Sequence, residues 1–157
     1  MGMSIRLEAT DETLGMRLHE VNRQRAVERA LQHYRASTGR DARFAPAQAG
    51  IAIAYMQKMM YESEPARYLR EASEAAHRAV GLDPGLADGH LAVGRLESFY
   101  KWNWVAADRA FARALPLHPS HPFARNYYSA YLTALGRHEE AVAFTRATLA
   151  LAPHSLS

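Results

Sequence analysis

Cysteine is absent from the 157 residues. Disulfides and thiolate metal sites are therefore excluded, and nothing in the chain demands an oxidising compartment. Lysine is almost absent: Lys58 and Lys101 are the only two, so the formal charge of +3 is carried by arginine. No apolar run approaches the roughly 18 residues that a membrane-spanning helix needs. The first residues, M-G-M-S-I-R, lack the apolar core of a secretory signal. Arg6 stands where a myristoylation site has Ser or Thr. No segment alternates with period two, so no strand is expected. Gly-rich phosphate loops, H-E-x-x-H and G-x-S-x-G are all missing. Ser98 and Ser129 have no base spaced to form a triad. Neither enzyme activity nor a cofactor is expected, and the expected location is cytoplasmic.

The arginines are interleaved with acids, as in E-R-A-L and A-D-R-A-F. Such interleaving marks solvated helix faces, whereas a nucleic-acid reader concentrates its cations in a stripe. The charge pattern therefore argues against nucleic acid as a partner. The 48% hydrophobic and 22% charged residues are ordinary for a globular chain.

The strongest positive signal is internal repetition. Ala107, Leu115, Leu117 and Pro119 recur 34 residues later as Ala141, Leu149, Leu151 and Pro153. They also recur 35 residues earlier as Ala72, Val80, Leu82 and Pro84. A period in the thirties indicates a stacked helical array. Helical spacing and punctuation predict eight helices in antiparallel pairs: about 11–20, 24–37, 45–61, 66–80, 86–100, 104–115, 123–135 and 138–152. Asn22 is the expected break between the first two, and Ala26, Ala30, Leu31 and Tyr34 share a face of the second. In 45–61 the small residues Ala47, Ala49, Gly50 and Ala52 would let a neighbouring helix approach closely. Gly136 would take the left-handed conformation that ends a helix.

Read together, these segments resemble the tetratricopeptide repeat family. Its second-helix pattern, Ala-x-x-x-aromatic and a closing Pro, is present as Ala107, Phe111 and Pro119, preceded by the branched–small pair Val93–Gly94. The other copies depart from it: Ala76 and Thr145 stand where an aromatic belongs, and those positions are expected to be looser joints. Ala30 and Tyr34 look like the remnant of a further repeat. The resemblance implies an all-α, right-handed α-solenoid. Residues 1–10 would be a tail, 11–44 a degenerate repeat, 45–86 a repeat with about eight extra residues, and 87–121 and 122–157 two further repeats. W-N-W-x-A-A and L-G-R-H-E-E-A are similar to repeat segments appended to bacterial transcriptional regulators and nucleotide cyclases. A regulatory part of a larger bacterial protein is thus implied.

The resemblance also implies a function. In this family the first helices line a concave face that receives a peptide. That pattern places Ile53, Gln57, Arg95, Phe99, Asn126, Tyr127, Ala130 and Thr133 in the groove. Only Arg95 and Asn126 could serve a carboxylate clamp, so apolar peptide anchors are expected instead. The last helix carries Val142, Phe144, Leu149 and Leu151, expected to form a self-association face and hence a homodimer. An RNA-binding helical repeat is the alternative from another class. His118-x-x-His121 could offer two imidazoles to a metal but has no third ligand at a suitable spacing, and no metal is expected. His138, Glu139 and Glu140 read as a dipole-favoured helix start. Met56, Met59, Met60 and Tyr61 read as core rather than binding surface. Trp104 reads as an inter-helix wedge and Trp102 as partly exposed.

Overall fold

A computed structural model of the chain describes residues 11–62, 65–121 and 123–151. Among them are seven α-helices and no strand: α1 (Asp11–Arg40), α2 (Ala45–Lys58), α3 (Ala66–Leu82), α4 (Ala87–Phe99), α5 (Trp104–Leu117), α6 (Ala124–Ala134) and α7 (His138–Leu151). The expected count of eight becomes seven because the first two helices are one, 30 residues long. Asn22 and Gly15 each cost a helix about 0.5–1 kcal/mol but neither removes a hydrogen-bond donor. With no proline between Asp11 and Arg40, nothing forces a break. The buried stripe of α1 is also shifted from the expected one. Val27 and Leu31 are buried and Ala30 and Tyr34 half-buried, but Ala26 is exposed.

The helices form three consecutive pairs behind α1. α2 pairs with α3, α4 with α5 and α6 with α7, and each pair packs along its length. Across pairs, α2 contacts α4 and α4 contacts α6, whereas α3, α5 and α7 make no contact with one another among the described residues. The inner row is therefore tighter than the outer row. Stacking of this kind bends the array, with α2, α4 and α6 on the concave side. Part of the extra length of the α2–α3 repeat lies in α3, which has 17 residues where α5 and α7 have 14 each.

Residue size sets each seam. A Cβ on Gly50 would stand 2.4 Å from the Tyr34 ring, so the bare backbone of α2 is what admits α1. A Cβ on Gly94 would stand 2.9 Å from Phe111, which is fully buried between α4 and α6. Phe111 packs on Tyr128 and Tyr131 at 5.4 and 5.1 Å, and its burial contributes about 2–3 kcal/mol. In the last pair the corresponding residues are Ser129 and Thr145, whose hydroxyls hydrogen-bond at 2.8 Å. In the first they are Ala52 and Ala76, both fully buried among Tyr55, Met56 and Leu96. The first pair is thus not loose: neighbouring helices supply the bulk that Ala76 lacks. Looseness is confined to the last pair, where Thr145 is half-buried beside a hollow of about 430 Å³.

Helix ends follow local chemistry. The Asn103 side chain accepts from Ala106 N–H at 3.2 Å and starts α5. Gly136 has φ +74°, and Arg137 N–H reaches back to Leu132 C=O at 2.9 Å, so α6 ends in the expected left-handed cap. No described helix is long and apolar enough to cross a membrane.

Candidate functional site

The concave face is built by α2, α4 and α6, with α1 closing one end. Ile53 and Gln57 lie in a pocket of about 460 Å³ with Tyr34, Gly50, Asp88, His121 and Phe123. Ile53 also packs against the first hydrophobic cluster, while Gln57 is half-exposed. The eight groove residues expected from the sequence do not all share this pocket. Arg95, Phe99, Asn126, Tyr127, Ala130 and Thr133 lie outside it, on α4 and α6. Phe99, Asn126, Ala130 and Thr133 are exposed, and the Thr133 hydroxyl is turned back onto Ser129 C=O at 2.8 Å.

Arg95 is held against neutral groups of the neighbouring inner segments. Its guanidinium donates to the Tyr127 hydroxyl at 3.1 Å and lies 4.8 Å from the centre of that ring. It also reaches the Met60 sulfur at 3.8 Å. Tyr127 stacks on Phe123 at 5.9 Å with 14° between the planes. A planar, delocalised cation held on an aromatic face suits Arg and would not suit Lys. The result is a continuous surface from Met60 through Arg95 and Tyr127 to Phe123.

Asp88 and His121 form the second polar element. His121 is buried, and its Nδ1 accepts from Phe123 N–H at 3.1 Å. In the neutral ring the proton therefore sits on Nε2, which donates to an oxygen of the Asp88 carboxylate. The hydrogen bond from His121 holds the Asp88 carboxyl below its ordinary value of 3.8, against an opposing push from burial. His121 thus fastens the start of α6 to the start of α4. His118 stands edge-on to it at 5.0 Å. Both ring nitrogens of His121 are engaged, Nε2 with Asp88 and Nδ1 with Phe123 N–H. No group of three or more potential ligands occurs among the described residues.

The remaining candidates separate by exposure. Met56 and Met59 are core, whereas Met60 is 61% exposed and belongs to the concave surface. Trp104 packs against the second cluster, 6.2 Å from Tyr131. Trp102 is 70% exposed, with φ 56°. Glu140 pairs with Arg137 through two contacts of 2.7 and 2.6 Å on the surface. On α7 the expected self-association set divides. Val142 is exposed, but Phe144 is half-buried with an edge-on contact of 4.8 Å to Tyr128, and Leu149 is half-buried. Positions 142 and 144 are about 200° apart around a helix and cannot share a face. The Leu151 side chain and residues 152–157 lie outside the described residues.

Sequence reasoning missed Asp88, Phe123 and the Met60–Arg95 contact. A signal for them was present. Asp88 and His121 are 33 residues apart, Arg95 and Tyr127 32, and Met60 and Arg95 35. Each spacing is close to one repeat, so complementary side chains one period apart meet across adjacent inner helices.

No family model matches this sequence, and no curated protein does. Among solved structures, the fold is similar to that of a thermophilic TPR protein of Thermus thermophilus. The match has a TM-score of 0.71 at 23% identity and covers 83% of this chain and 68% of that one. The chain therefore has the fold of a helical-repeat protein. More particularly, it has the tetratricopeptide-repeat fold, an α-solenoid of helix pairs, as its sequence pattern implied.

Proposed function

We propose that the chain is a non-enzymatic protein-interaction module whose concave face binds a peptide segment of a partner. The observation that carries this reading is the inner row of helices, which holds an open apolar pocket lined by Tyr34, Ile53, Gln57 and Phe123. The surface continues over Tyr127 and Arg95 to Phe99, with Asn126, Ala130 and Thr133 along the exposed side of α6. A pocket of this composition accepts aliphatic or aromatic side chains, while Gln57 and Asn126 can hydrogen-bond to peptide backbone. In a larger bacterial protein such a module would serve as a regulatory segment.

Selection of phage-displayed peptides on the purified chain tests the reading. Selected peptides should lose binding to Ile53→Glu and weaken at least several-fold on Tyr127→Ala, with helical content unchanged. Retained binding by both variants would refute the concave-face assignment. A second surface is offered by the exposed side of α7 around Val142. Self-association there would appear as a concentration-dependent mass in sedimentation and would be lost in Val142→Glu.

A further inference from the structure

Building on the groove reading above, we infer that the peptide it takes carries a basic side chain, Arg or Lys, beside an apolar one. The basic head would pair with Asp88 and the apolar neighbour would lie against Ile53 and Phe123.

The reasoning begins with charge. Asp88 is the one residue of formal charge among the described residues lining the pocket of about 460 Å³. Its side chain is 42% exposed, so it borders the open space rather than being sealed from it. The sole hydrogen bond found for this carboxylate among the described residues is the one from His121, to one oxygen. The buried ring of His121 thereby orients the group and, in its neutral tautomer, brings no formal charge to it; the first turn of α4 favours the carboxylate without covering its open side. A carboxylate fixed on one side and open on the other is a receptor for an ammonium or guanidinium.

The walls fit the rest of such a side chain. Basic residues lay their methylene stems along apolar surface and keep the charged head at a polar site. Here Ile53, Ala54 and the half-exposed ring of Phe123 provide the surface, and Asp88 provides the polar end. The opposite preference is disfavoured. A peptide carboxylate would need a cation in the pocket, and Arg95 lies outside it, held on the Tyr127 ring and hydroxyl. The +3 charge of the whole chain repels a basic peptide at long range. Discrimination should therefore arise at contact and appear in the dissociation rate rather than the association rate.

The test uses peptides selected on the intact chain and resynthesised with each Arg replaced by citrulline and each Lys by acetyl-lysine, which removes charge at nearly constant shape. Fluorescence polarisation should show the charge-free peptide binding about threefold to fivefold more weakly to the natural chain, the effect of losing one partly exposed charge pair. Asp88→Asn, which keeps an acceptor for His121, should bind both peptides equally. Equal binding of both peptides to the natural chain would overturn the inference, and this comparison needs no variant to fold. If that equal binding were still abolished by Ile53→Glu, the groove reading would stand without its charge preference. Binding insensitive to both Ile53→Glu and Tyr127→Ala, or the selection of no peptide at all, would overturn both.

Discussion

The α4–α5 seam gives a prediction whose sign depends on its background. A methyl group added at Gly94 would stand 2.9, 3.0 and 3.0 Å from three atoms of the Phe111 ring. Carbon atoms pack favourably at about 3.5–4.0 Å. The ring would have to move by roughly half an ångström, but Phe111 is fully buried and wedged by Tyr128 and Tyr131. Overpacking of this kind costs about 1–3 kcal/mol. Replacing a helical glycine by alanine returns about 1 kcal/mol through backbone entropy. Gly94→Ala should therefore destabilise by about 1 kcal/mol net, the difference of those two terms. Phe111→Ala alone should cost about 3–5 kcal/mol. In that background the ring is gone, so Gly94→Ala should stabilise by about 1 kcal/mol. The coupling energy of the cycle is then about 2 kcal/mol. Urea unfolding followed by far-ultraviolet circular dichroism measures it, with unchanged m-values as the check on shared end states. Phe111→Leu replaces Phe111→Ala if the latter does not fold. Effects of Gly94→Ala that agree within about 0.5 kcal/mol in both backgrounds would refute the steric account.

At Gly136, with φ +74°, alanine should cost about 1 kcal/mol by urea unfolding, because a Cβ is strained in the left-handed region. Thr145→Val should cost about 1 kcal/mol by removing the hydroxyl partner of Ser129, and adding Ser129→Ala should recover most of it. Asp88 is held below its ordinary value, so its contribution to stability is present above about pH 3.8 and lost as pH falls through the folded value. The urea midpoint of the natural chain should exceed that of Asp88→Asn at pH 6, and the gap should close as the pH is lowered below 4. A gap that persists at pH 2.5 would show that charge is not its source.

The sequence reveals the fold through features that repeat, and conceals what happens between repeats. Ala107, Phe111 and Gly94 were legible because size is kept in register: a fully buried wedge needs a small residue opposite it. The missing aromatic at Ala76 could not be interpreted from its own helix, because Tyr55, Met56 and Leu96 on neighbouring helices fill the space. The same limit applies to the site. Exposure can be projected one helix at a time, and that projection named Ile53, Gln57 and Tyr127, each half-buried on the inner helices. It also took Arg95 to be an available cation, since the hydroxyl and ring that occupy it belong to the next repeat. Phe144 was placed on an outer face for a related reason: its partner Tyr128 is on the preceding helix. The polar contacts of the inner row obey a rule that single-helix projection omits. Adjacent inner helices lie one period apart in sequence, so pairs separated by 32–35 residues, such as Asp88 with His121, are neighbours in space. Complementary chemistry at that separation pairs Arg95 with Tyr127 and Asp88 with His121, contacts that no single helix displays.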